Sequence, residues 1–161
     1  MKKMINSFIV LGLMFSDTIH AEQAILSWLD MVPIEERHSS MPVSVNHEES
    51  LDARIPQSLV GKTISALNNT EQRIAGFVVP LEVNGNNIES FLLVPFFGAC
   101  LHVPPPPPNQ IVYVEQTIDY IDPWEPIVID GTLKVTAQQQ QEISSGYQLV
   151  PSGGIQLLKT L

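Results

Sequence analysis

Cys100 and His102 are the residues whose types and spacing suit chemistry. The single cysteine of this 161-residue chain stands two positions before a histidine, in Gly98-Ala99-Cys100-Leu101-His102-Val103. On an extended backbone, residues i and i+2 share a face. Thiol and imidazole would then point the same way, soft sulfur beside borderline nitrogen, which is the beginning of a zinc or copper site. Two ligands do not hold an ion, because structural zinc takes four. Glu82, Glu89, Asp119 or the histidines His38 and His47 would have to complete the set. The same pair read as nucleophile and base is a poorer fit. A reactive thiol needs a lowered pKa and an aligned base that is itself oriented. Neighbours on one strand lie side by side, and no Asn or Asp completes a triad at a recognisable position. The plainest reading is a partly buried cysteine beside a histidine bonded to backbone.

Pro104, Pro105, Pro106, Pro107 and Pro108 follow, then Asn109 and Gln110. Five prolines in a row form a stiff left-handed helix of roughly 3.1 Å per residue, about 15 Å in all. They donate no backbone hydrogen bond, so no central strand absorbs them. They read as a rigid bridge from the Phe91–Val94 region to Ile111–Val114. An intramolecular brace is the expectation, and docking into a partner's aromatic groove is the second use. Trp124, Tyr113 and Tyr120 are rings available to pack on the run. Trp124 sits at the tip of the turn Asp122-Pro123-Trp124-Glu125-Pro126, whose composition stops strands. It is expected to cap the core, with lining a pocket beside the prolines as the alternative.

The elements that must position these residues are mostly strands. Arg73–Leu81, Ile88–Val94, Ile111–Val114, Ile127–Val135 and Tyr147–Val150 are rich in β-formers, and Asn84-Gly85 is a hairpin signal. The second half of Ile88–Val94 is apolar on both faces and is expected to be buried on both. Gly131 interrupts its strand as a bulge or a barrel corner would. Ala137–Ile143, with its four glutamines, reads equally as helical turn or loop. Ahead of the strands, Ile25, Trp28, Leu29 and Val32 fall on one helical face of Glu22–Val32, stopped by Pro33. Residues 34–55 read as a polar linker. Five or more short strands and one small helix predict a mainly β fold, a small antiparallel OB-like barrel with a short N-terminal helix. A β-sandwich is second.

Residues 1–21 read as a signal peptide: Lys2 and Lys3, an apolar run from Ile5 to Phe15, then Ala21 as the cleavage point. The run is shorter than the about 20 residues a membrane span needs. Residues 22–55 would be the helix and linker arm, and 56–161 the β domain. Without the first 21 residues the chain carries 6 basic and 16 acidic residues, a formal charge of −10. Such a surface repels nucleic acid and anionic lipid. An exported chain with one cysteine has no internal disulfide, and its core carries the stability unaided.

Gly76-Phe77-Val78-Val79-Pro80-Leu81-Glu82, Phe91-Leu92-Leu93-Val94-Pro95, and Phe97 through the prolines to Asn109-Gln110 form one pattern. Together with Trp28…Val32-Pro33 this resembles a family of bacterial periplasmic proteins and lipoproteins known as a domain of unknown function. The resemblance implies an exported protein with no enzymatic activity to carry over. It also implies likeness to accessory proteins of zinc-responsive ABC-type transport systems. The signature it carries is Cys100, His102, Pro104–Pro108, Asn109 and Gln110. The expected function is therefore a periplasmic, non-catalytic binding or accessory domain, concerned with zinc or with a transport assembly. A thiol enzyme using Cys100 and His102 and a purely structural envelope partner are the alternatives.

Overall fold

The computed structural model describes residues 23–37, 57–99, 105–140 and 142–158. Residues 1–21, expected to be a signal peptide, most of the expected linker with His38 and His47, and Cys100, His102 and Pro104 lie outside them.

The fold is mainly β, and the described residues form six strands in one sheet: β1 (Thr70–Asn84), β2 (Asn87–Val94), β3 (Val112–Asp119), β4 (Ile127–Gln140), β5 (Ile143–Pro151) and β6 (Gln156–Leu157). β1 is long enough to serve two partners. Its first half pairs β4 from Thr70↔Leu133 to Gly76↔Ile127, and its second half pairs β2 from Phe77↔Val94 to Asn84↔Asn87. The hairpin turns where expected, through Gly85 at φ +62°, a left-handed conformation that costs glycine little. β2 pairs β3, β4 pairs β5, and β3 pairs β5 through Val112↔Tyr147 to Val114↔Leu149. The pairings close a ring of β1, β2, β3, β5 and β4, and β6 adds to β4.

The all-antiparallel expectation is corrected: β3 and β5 run parallel, so the sheet is mixed. The reason is parity. An odd ring cannot alternate direction at every step, so a closed ring of five strands has at least one parallel pair.

Side-chain alternation gives the sheet two apolar faces. Inside the ring lie Ile74, Val78, Phe91, Leu93, Val114, Ile129, Leu133, Tyr147 and Leu149, with Met31 among them. Outside, Leu92 and Val94 join Ala99 and Ile111, with Phe77, Val79, Leu81 and Tyr113 packed against them. Phe91 to Val94 are all fully buried, as two-sided apolarity predicts. Gly131 is no bulge. Its register is regular toward both Gln72 and Pro151, and the break in the β4–β5 ladder falls between Val135 and Gln138. The glutamine stretch is strand as far as Gln140, resuming at Ile143.

The N-terminal helix is also corrected. Ile25 bridges Arg73 of β1, the Leu26 amide donates to the Arg73 carbonyl at 2.7 Å, and only Trp28–Met31 coil, as one 3-10 turn. Ser27 Oγ caps that turn by accepting from the Leu29 amide. A helix of two or three turns is marginal in water, and the sheet edge offers the same backbone groups better partners. The burying face changes accordingly. Met31 and Val32 go inside, while Ile25 and Leu29 remain exposed. Tyr147 ties this segment to the core, its hydroxyl donating to the Met31 carbonyl (2.9 Å) and accepting from the Ile64 amide (2.7 Å).

Candidate functional site

The chain between β2 and β3 carries the residues singled out by sequence. Ala99, the residue before Cys100, is fully buried against Leu92, Val94 and Ile111 on the outer face. Ahead of it, Gly98 takes φ +80°, and Phe97 meets Phe77 edge-on, with centroids 6.3 Å apart. Trp124 then stacks on Phe97, at 3.9 Å and 27° between planes. The three rings climb from the outer apolar layer into solvent, where Trp124 is 66% exposed and Phe96, next to Phe97 in the chain, 45%. Trp124 therefore does not cap the core. Asp122 explains why: its side chain accepts from the Trp124 amide (3.1 Å) and its carbonyl from the Glu125 amide (2.9 Å). This local turn holds the indole outside the ring of strands.

The described prolines and the two residues after them are tied into the fold by hydrogen bonds. Pro106 is buried, and its carbonyl accepts from Gln57 Nε2 at 2.8 Å, while the same amide group also donates to the Ser144 carbonyl. Pro108–Gln110 coil as a 3-10 turn. Asn109, 2% exposed, donates to the Lys62 carbonyl (3.0 Å) and to Glu36 Oε2 (3.4 Å). Gln110 donates to the Trp28 carbonyl at 2.8 Å. The two amides thus fasten the 23–37 segment and the 57–64 segment to the end of the proline run. Trp28 completes the seam by donating from Nε1 to the Ala75 carbonyl (2.8 Å).

At the far end of the outer face, Glu82, Glu89, Glu115, Gln116 and Thr117 line an open polar concavity of ≈ 370 Å³. Ser90 Oγ donates to Glu82 (3.2 Å) and Asn84 Nδ2 to Glu89 (2.9 Å). Tyr113 stands near them, its pKa pushed up by burial and then by the charges of Glu115 and Glu82, against a hydrogen bond from Ser90 that lowers it. Among the described residues, no three of His, Cys, Asp and Glu are gathered closely enough to hold a metal ion. Chemically this end offers acceptors and negative charge, and the other end offers ring faces.

Sequence reading missed the Phe97–Trp124 stack and the part played by Glu115. Phe96-Phe97 directly after Pro95 was the available signal, a pair of large aromatics where no strand periodicity demands them.

A family model described as "Protein of unknown function (DUF3299)" matches residues 28–153, from Trp28 through the aromatic stack and the proline turn to Gly153. The chain belongs to the DUF3299 family. Among solved structures, it is similar to the crystal structure of a DUF3299 family protein from Pseudomonas aeruginosa PAO1. The two are 29% identical with a TM-score of 0.72, over 87% of this chain and 99% of that one. A looser likeness is to the OBody AM3L09 bound to hen egg-white lysozyme, at 17% identity and TM-score 0.38, over 60% of this chain and 89% of that one. No curated protein matches. The DUF3299 match spans both the seam made by Trp28, Asn109 and Gln110 and the stack made by Phe77, Phe97 and Trp124. Among the described residues of this member, no helix is long and apolar enough to cross a membrane.

Proposed function

We propose that this DUF3299 member is an exported, non-catalytic accessory module of the bacterial envelope that works by docking another protein on its aromatic stack. The single observation that carries the reading is Trp124, left 66% exposed and held in place on Phe97. A tryptophan displayed on a rigid neighbour is costly to leave in water, and it is the residue type that most often anchors a protein interface. The loop that displays it is fixed by its own hydrogen bonds, so little ordering entropy is lost when a partner covers it. Export is supported by Lys2, Lys3 and the apolar run to Phe15. We read the closed ring of five strands as a small OB-like barrel, supported by its strand order and its one parallel pair.

The test separates folding from docking. Trp124→Ala is expected to lower the unfolding free energy by about 1 kcal/mol or less, the worth of one exposed ring pair. In native gels of envelope extracts, the wild-type chain should migrate in a species larger than its monomer, and Trp124→Ala should return it to monomer size. A wild-type chain that migrates as a monomer, or a complex indifferent to Trp124→Ala, would overturn the reading.

A further inference from the structure

We propose that the partner presents an extended segment that is apolar along its length and ends in arginine or lysine, lying across the outer face of β1–β3; this rests on the docking role of Trp124. Phe77, Val79, Leu81 and Tyr113 are only partly buried on that face. They form an apolar strip with the Phe97–Trp124 stack at one end. At the other end Glu82, Glu89 and Glu115 line the concavity with Gln116 and Thr117, and among the described residues no basic side chain lines it. Among the described residues, no ion pair neutralises these three carboxylates, since Arg37 and Arg73 pair with Asp30 and Asp130 elsewhere.

The strip and the acidic end lie along β1, on either side of an irregularity in the β1–β2 register between Pro80 and Glu82 that breaks the strict side-chain alternation. Phe77 and Glu82 are five residues apart on β1, about 16 Å at roughly 3.3 Å per residue. An extended segment of five or six residues spans that distance. Its apolar side chains would cover the strip, one end would meet the indole of Trp124, and the cation at the other end would sit among the carboxylates. Charge selects the partner here. A basic terminus is drawn in and an acidic one repelled, on a chain whose net charge is already −9. Burial of the apolar strip supplies affinity that salt does not screen, and the carboxylates add a part that it does.

The probe is a library of random octapeptides displayed on phage and selected on the purified chain. An enriched peptide is then synthesised with a fluorescent label and titrated by anisotropy. Enriched sequences should place arginine or lysine at one end of an apolar run. The affinity of such a peptide should fall tenfold or more for Glu82→Gln/Glu89→Gln/Glu115→Gln and again for Trp124→Ala, with thermal unfolding of both variants verified as cooperative. Raising salt from 50 to 500 mM should weaken binding to the wild type and leave the triple variant almost unmoved. Enriched peptides without basic residues, no enrichment, or unchanged affinity for the triple variant would overturn the proposal. So would a dimer of this chain, seen by sedimentation, that Trp124→Ala dissolves, because the face would then be filled by a second copy. Binding that depends on Trp124 and not on the three carboxylates would overturn this charge-selected partner and leave the docking role of the stack standing.

Discussion

Tyr147→Phe lowers the unfolding free energy by about 2–3 kcal/mol, though it deletes a single oxygen, because that oxygen satisfies two backbone groups at once. The Ile64 amide donates to it at 2.7 Å and it donates to the Met31 carbonyl at 2.9 Å. Phenylalanine fills the same space and leaves both groups without their partner, at about 1–3 kcal/mol for each one that stays buried. In urea the midpoint should fall with the slope unchanged, since the surface exposed on unfolding is the same. The pH dependence gives an independent signature. Burial pushes the Tyr147 pKa above the usual tyrosine value of 10.0, and the hydrogen bond from Ile64 pulls it back only in part. Above about pH 10 the unfolded chain therefore releases a proton that the folded chain retains, and stability falls as pH rises further. Below about pH 10 this contribution is fully present. Tyr147→Phe should make the alkaline fall shallower without abolishing it, because Tyr113 is raised as well. An alkaline limb unchanged by the substitution would contradict the assignment.

Gly131→Ala should cost about 1–3 kcal/mol or more, the range for forcing an extra carbon into a packed site. Its added Cβ would crowd the Val150 carbonyl oxygen and lie 2.9 Å from Pro151 Cα. Both obstacles are backbone, held by the β4–β5 ladder through Gly131↔Pro151 and Thr132↔Val150. Neither can swing aside as a side-chain tip can, so the ladder itself must give. Gly153→Ala is the control, since its Cβ would meet nothing within 4 Å. Thermal melts should separate the two, with Gly131→Ala markedly lowered and Gly153→Ala within about 0.5 kcal/mol of the wild type. A Gly131→Ala chain as stable as the control would mean that β5 does not approach β4 as described.

The strands were legible because their signals are local. Two-sided apolarity marked Phe91–Val94 as buried, and Asn84-Gly85 marked the hairpin. The direction of β5 against β3 was not local, although counting would have given it: a closed ring with five strands needs a parallel pair. The helical spacing of Ile25, Trp28, Leu29 and Val32 misled because a strand bridge at Ile25 followed by one 3-10 turn produces the same letters. Trp124 misled for a related reason. Its turn was plain from Asp122, Pro123 and Pro126, but the ring it would stack on, Phe97, lies 27 residues away in sequence. Asn109 and Gln110 stood out as a motif. Their work, fastening Glu36, Lys62 and Trp28 to the end of the proline run, is carried by contacts whose partners are distant in the chain.

The central claim is that the Trp124–Phe97 stack is a surface on which another protein sits. The most direct measurement replaces Trp124 with the photo-reactive amino acid benzoylphenylalanine in growing cells, with the exposed β4 position Lys134 as control. Illumination should yield one discrete adduct from position 124, absent from position 134 and lost when Phe97→Ala removes the support beneath the ring. No adduct from position 124, or the same adducts from both positions, would contradict the account.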